Sequence, residues 1–246
     1  MPLLPPKPRK PPPRRPDARK RNLLIAAGAA AAVVAALVVV SIVVAGGDDS
    51  GTTTTTNGGS AALFDGITQE GAELGSQSAP VTMIQFEDLQ CPICRAYQED
   101  GFPGIVDEYV RPGKVKLRFA GLAFLGQDSE QALRYALAAG KQGKLWPYVA
   151  DLYANQGDEN SGWVTDDLLE RLAGENGLDW SRLKTDAASA EVTQEIDATS
   201  AEAARRQVPG TPTFFVQIGD GEPYVVQPSS LSIDAFRPIL DDALDG

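Results

Sequence analysis

Three regimes of hydrophobic and polar patterning follow one another along this chain. Leu23 to Ala45 is an apolar run of 23 residues, broken only by Gly28 and Ser41. As a helix at about 1.5 Å per residue it reaches roughly 35 Å, enough to cross a ~30 Å hydrocarbon core. Residues 46–62 show no periodicity. They are rich in Gly and Thr, with five consecutive threonines from Thr52 to Thr56, and read as a flexible tether. From residue 63 onward, apolar positions recur at the spacings of strands and helices.

The patterned region predicts an ordered series of elements. Val81 to Phe86 reads as a strand from its β-branched content, and Val115 to Ala120 as another. Between them a helical stretch runs from Cys91-Pro92-Ile93-Cys94 to about Val110, with a kink expected at Pro103-Gly104. A series of helices follows: one capped by Ser129, one over Leu145 to Asn155, one capped by Thr165 ahead of Asp166-Asp167, one starting at Asp179, and one over Glu191 to Arg206. Strand signals return at Thr213 to Ile218 and Tyr224 to Gln227, with Gly219-Asp220-Gly221 as the turn. A last helix is expected over Ser232 to Leu244, bent at Pro238. The order is β-α-β, a helical insertion over about 128–207, then β-β-α, an α/β arrangement. Trp146, Trp163 and Trp180 read as packing anchors.

Charge adds an orientation. The net charge of −11 hides a split: residues 1–22 carry +7 and the remainder −18. The overall acidity argues against broad nucleic-acid binding. The positive-inside rule keeps the basic, proline-rich tail (1–22) in the cytoplasm as a disordered segment. Residues 23–45 then serve as a single-pass membrane anchor, and the domain over 63–246 stands outside the cytoplasm. Val43-Val44-Ala45 could also pass as a signal-peptide cleavage site, though signal peptides usually have shorter apolar cores.

Composition narrows the chemistry. There is no histidine, which excludes Ser-His-Asp and Cys-His catalysis and any His-ligated metal. The only two cysteines form Cys91-Pro92-Ile93-Cys94. A metal site would need two further ligands. A structural disulfide would close so short a loop that it removes little unfolded-state entropy. Redox chemistry in an oxidising compartment fits better. Cys91 lies between a strand and a helix, where free amides and the helix dipole stabilise a thiolate. Pro92 is tolerated in the first turn, and Cys94, one turn further in, suits a resolving thiol. A second motif, Val208-Pro209-Gly210-Thr211-Pro212-Thr213-Phe214-Phe215, sets a proline directly before a strand. Taken alone, it is ordinary turn chemistry.

Together these segments resemble the DsbA-like branch of the thioredoxin superfamily. The matching pieces are LGSQSAPVTMIQFEDLQCPIC, GKQGKLWPYVADLYANQ with GWVTDDLLERLA, and VPGTPTFFV, spread over roughly residues 74–217 in the family's order. The resemblance implies a thioredoxin fold with an inserted helical subdomain. It implies Cys91 as the attacked sulfur, Cys94 as its partner, and Thr211 with a cis Pro212 packed beside them. It also implies thiol–disulfide exchange on exported proteins carrying cysteine thiols or disulfides, with no organic cofactor or metal. Reoxidation would fall to a membrane quinone-linked reductase of the DsbB or vitamin K epoxide reductase type. An oxidase is the expectation. A reductase or isomerase, or a non-enzymatic binding module using the groove beside Pro212, are the alternatives.

Two departures stand out. Thioredoxin-like proteins often carry a buried acid six positions before the first cysteine, and here that position is Gln85. Strong oxidases of the branch often place His between the cysteines, where this chain has Ile93. Glu87 and Asp88 are close in sequence, but their direction is not set by sequence.

Overall fold

A computed structural model describes residues 60–246. The basic tail, the apolar run 23–45 and nearly all of the tether lie outside the described residues. Among those described, no helix is long and apolar enough to cross a membrane. The described residues include a short element ahead of the expected boundary at 63. A short 3-10 helix spans Ala61–Phe64, Phe64 is buried, and the Ser60 hydroxyl donates to Asp151.

Six strands make one sheet: β1 (Gln69–Glu70), β2 (Glu73–Leu74), β3 (Val81–Asp88), β4 (Val115–Leu122), β5 (Thr213–Ile218) and β6 (Tyr224–Val226), in the spatial order β1-β2-β4-β3-β5-β6. β3 runs parallel to β4 and antiparallel to β5. As the central strand it is covered on both faces, so seven of its eight residues are buried, the polar Gln85, Glu87 and Asp88 among them. The β1–β2 hairpin was not anticipated. Its strands have two residues each, too short to show alternation.

The helices are α1 (Pro92–Glu99), α2 (Gly101–Ile105), α3 (Gln127–Gly140), α4 (Leu145–Ala154), α5 (Asp166–Glu175), α6 (Trp180–Ala187), α7 (Ala190–Arg205) and α8 (Ile233–Asp245). α3 to α7 form the expected insertion between β4 and β5. Thr165, Asp179 and Ser189 each accept an amide hydrogen bond at a helix start, at 3.2, 2.9 and 3.3 Å.

Three expected details differ. The break after α1 falls at Asp100 rather than at Pro103-Gly104. Pro103 occupies the first turn of α2, where it is tolerated, and a π-helical turn over Val106–Val110 follows. Gly101 and Gly104 allow close approach: a Cβ on Gly104 would sit 2.8 Å from the Ile233 side chain, and one on Gly101 would strike the Leu231 carbonyl. Second, α3 begins after Gly126, and Ser129 lies inside it with its hydroxyl turned to Asp88. Third, α8 continues through Pro238, with Phe236, Leu240 and Ala243 buried on either side.

The larger core lies between one sheet face and the helices. Phe102 stacks on Trp146 with ring centroids 5.7 Å apart, and Tyr97 meets Phe214 at 4.8 Å. The opposite face buries Ile84, Phe86, Ala120, Leu122 and Phe215 against Ala203 of α7.

Candidate active site

β3 ends at Asp88, the Cys91 amide turns back to the Asp88 carbonyl at 2.9 Å, and α1 starts at Pro92. Cys91 is thus the residue ahead of the first helical turn, in extended conformation. Cys91 is 6% exposed and Cys94 is fully buried. Both are free thiols. The Thr211–Pro212 peptide bond is cis, and the Cys91 thiol donates to the Thr211 carbonyl at 3.3 Å. All four residues singled out from the sequence therefore meet at one place.

The surroundings hold Cys91 as a thiolate near neutral pH. Its pKa falls from 9.0 to about 6, chiefly because the Cys94 thiol donates to it. Burial works the other way. The Thr211 hydroxyl and the amides of Cys94 and Ile93 add further donors. The contact to the Thr211 carbonyl favours the thiol, but the donors outnumber it. The helix start contributes as expected, yet the second sulfur contributes more. Cys94 shifts in the opposite direction: burial, together with its hydrogen bond to Cys91, pushes its thiol far above the ordinary range.

A buried acid is present, two residues along from Gln85. Glu87 is fully buried on β3 and accepts from the Tyr153 hydroxyl at 2.8 Å and from the Gln98 amide at 3.2 Å. Burial raises its pKa from 4.5 to about 8 against the pull of those two donors, and the charge of Cys91 raises it further. Its charge in turn raises Cys94. Gln85 is also fully buried, and neither end of its amide has a hydrogen-bond partner among the described residues.

Asp88 and Gln90 fix the approach to Cys91. The buried Asp88 carboxylate accepts from the Gln90 amide at 2.9 Å, the Ser129 hydroxyl at 2.5 Å and the Phe124 and Leu125 amides at 3.1 and 3.2 Å. The Gln90 side chain accepts from the Asn160 amide at 2.6 Å and donates to Ser129 at 2.9 Å. Gln156 donates to the Leu89 carbonyl at 2.8 Å. The helical insertion is thereby tied to the three residues ahead of the cysteine. Sequence reading missed Tyr153, Gln98, Gln90 and Asn160. The available signal was a pair of acids, Glu87 and Asp88, ending a strand directly before the cysteine motif.

The family profile described as Thioredoxin matches residues 68–242. A probable disulfide bond formation protein D of Bacillus cereus is 32% identical over 147 residues, covering 58% of this chain and 68% of the relative. Disulfide bond formation protein D of Bacillus subtilis is 30% identical over 153 residues, covering 58% and 66%. Among solved structures, BdbD from Bacillus subtilis in its oxidised state superposes with a TM-score of 0.63 at 24% identity, covering 73% of this chain and 98% of that one. Wolbachia pipientis α-DsbA1 gives 0.62 at 19% identity, covering 71% and 90%. The chain belongs to the thioredoxin family. Within that family it falls in the DsbA-like branch, and it is a protein-disulfide oxidoreductase.

Proposed function

We propose that the Cys91–Cys94 pair oxidises the thiols of exported proteins. The observation that carries this reading is the asymmetry of the two sulfurs, one held as thiolate at a helix start beside Thr211 and the other buried and protonated. In the disulfide form, a substrate thiolate attacks Cys91. The Cys91–Cys94 bond breaks, and a mixed disulfide forms. The departing Cys94 sulfur takes a proton, which Glu87 is placed to supply because burial keeps that acid protonated near neutral pH. A second substrate thiolate then attacks the substrate sulfur of the mixed disulfide and releases Cys91 as thiolate. Two electrons pass from substrate to the pair. Stabilisation of the leaving thiolate favours the direction of oxidation.

Residues 23–45 would anchor the domain outside the cytoplasm, with the tail inside. A membrane quinone-linked reductase of the DsbB or vitamin K epoxide reductase type would withdraw the electrons. The names of the Bacillus relatives support the oxidase direction.

The thiol pKa near 6 lies between thioredoxin, about 7, and DsbA, about 3.5. The expected reduction potential therefore falls between about −270 and about −120 mV. Titration of the full chain against glutathione tests this, alongside oxidation of a reduced unfolded protein by wild type and Cys91→Ser. Equal rates for the two proteins would overturn the reading. A potential at or below thioredoxin's would reverse the direction and make the chain a reductase.

A further inference from the structure

The end of α4 reaches the cysteine motif with two side chains. Tyr153, in its last turn, donates to Glu87 of the central strand. Three residues on, the main-chain amide of Gln156 donates to the Tyr153 carbonyl at 3.1 Å, which holds this residue to the helix end. The Gln156 side chain then reaches the main chain on either side of Gln90. Its Nε2 donates to the Leu89 carbonyl at 2.8 Å and to the Cys91 carbonyl at 3.3 Å. Both partners are carbonyl oxygens, which only accept, so the amide must present its nitrogen, and both of its N–H groups are spent there.

Helix α1 does not need the second of these bonds. The Cys91 carbonyl already accepts the first helical bond, from the Arg95 amide at 3.1 Å, and Gln156 occupies its other lone pair. The insertion does not need it for attachment either, because Ser129 is bound to Asp88 and Asn160 to Gln90. What the bond fixes is the peptide that carries the attacked sulfur. The Cys91 N–H is bound to the Asp88 carbonyl on one side, Pro92 has no N–H to offer on the other, and Gln156 closes the remaining direction. With φ −72° and ψ 117° so held, the sulfur faces the Thr211 carbonyl at 3.3 Å and the amides of Ile93 and Cys94.

We propose that Gln156 is a positioning residue for thiol–disulfide exchange, pinning the Cys91 main chain so that the sulfur finds its donors in place when it leaves the mixed disulfide. The inference rests on the oxidoreductase reading and adds a residue of the insertion to the site. In that step a second substrate thiolate bonds to the substrate sulfur, the bond from that sulfur to Cys91 breaks, and its electron pair stays on Cys91. Donors aligned in advance stabilise this thiolate without reorganising first. A peptide free to rotate about ψ would lose part of the alignment, and the pair would become a weaker oxidant.

The test uses the reduced full chain. Gln156→Met keeps the side-chain length and removes both N–H donors, and Gln156→Asn keeps the amide but falls one methylene short. Arg118→Met is the control. It breaks a different tie between sheet and insertion, the 2.8 Å ion pair with Glu202. Alkylation of Cys91 with iodoacetamide gives a pH midpoint, near 6 in the wild type. The midpoint should rise by roughly 0.5–1 pH unit in both Gln156 variants. In Arg118→Met it should keep the wild-type value even where the thermal midpoint falls. The equilibrium constant for reduction of the pair by glutathione at pH 7 should drop about three- to fivefold in the Gln156 variants. An unchanged alkylation midpoint in both Gln156 variants overturns the inference and leaves the oxidoreductase reading intact. So does an equal rise in Arg118→Met, which would show that the midpoint follows attachment of the insertion in general. A wild-type midpoint near 9, the ordinary thiol value, would sink the oxidoreductase reading itself and this inference with it.

Discussion

The Tyr153 hydroxyl donates to Oε2 of Glu87 at 2.8 Å, linking a helix of the insertion to the central strand. Burial keeps the phenol protonated, so its hydroxyl stays available as a donor to the carboxyl group. The protonation of Glu87 is therefore set jointly by the thioredoxin scaffold, through Gln98, and by the insertion, through Tyr153. The insertion thus contributes to the electrostatics of the cysteine pair as well as covering it.

Glu87→Gln should gain stability relative to wild type as pH rises. The folded pKa of Glu87 is near 8 and its ordinary value 4.5, so between these the folded state holds more protons than the unfolded one. Its contribution is therefore fully present below about pH 4.5 and is lost as pH climbs to 8, by at most about 1.4 kcal/mol per unit. Urea midpoints of both reduced proteins at pH 5 and pH 8 measure the difference. Cys91, whose folded pKa is depressed, acts oppositely: its stabilisation is present above about pH 9 and lost as pH falls through 6. Comparing the two proteins cancels that contribution apart from the coupling between the Cys91 and Glu87 charges. A gap that does not change with pH would rule out a buried titrating acid.

Alkylation of Cys91 with iodoacetamide should show a pH midpoint near 6. Cys94→Ala removes the largest single donor. Hydrogen bonds to charged groups contribute about 1.5–3 kcal/mol, so the midpoint should rise by roughly 1–2 pH units. A midpoint left at 6 would assign the depression to Thr211 and the helix-start amides.

Tyr153→Phe keeps the ring and deletes the hydroxyl donor. Glu87 would then depend on Gln98, its pKa would move further up, and stability should drop by about 1–3 kcal/mol. Chemical denaturation reports the loss, and the carboxyl C=O stretch in infrared titration reports the pKa. A fall in stability with no change in titration would separate packing from electrostatics.

Gln85→Leu should stabilise the fold. Register places Gln85 between Phe119 and Phe214, and its amide is buried without partners. Removing an unsatisfied buried polar group is worth about 1–2 kcal/mol, or roughly 2–8 °C in Tm for a domain of this size. Calorimetry decides it, and a lower Tm would show that the amide is satisfied in solution.

The elements easiest to read from sequence were those whose causes are local. Thr165 and Asp179 cap helices because their short oxygen-bearing side chains reach the second or third amide of the helix they precede. Val81–Asp88 shows itself by β-branched density, and Cys91 by its place between strand and helix. Long-range partners defeated the same reasoning elsewhere. Ser129 has capping chemistry but spends its hydroxyl on Asp88, 41 residues away. Gly104 looks like a helix breaker, yet it makes room for Ile233. Glu87 showed as an acid, but only Tyr153 and Gln98, supplied by two other helices, reveal that it is sealed in the core. The apolar run at 23–45 and the tail before it lie outside the described residues.

Thr211 lies 120 residues beyond Cys91 along the chain. As the polypeptide leaves the ribosome, both sulfurs emerge well ahead of the loop that will shelter them. Until β5 threads in alongside β3, the nascent molecule carries two bare thiols with no proline-bounded rim, open to capture by other oxidants.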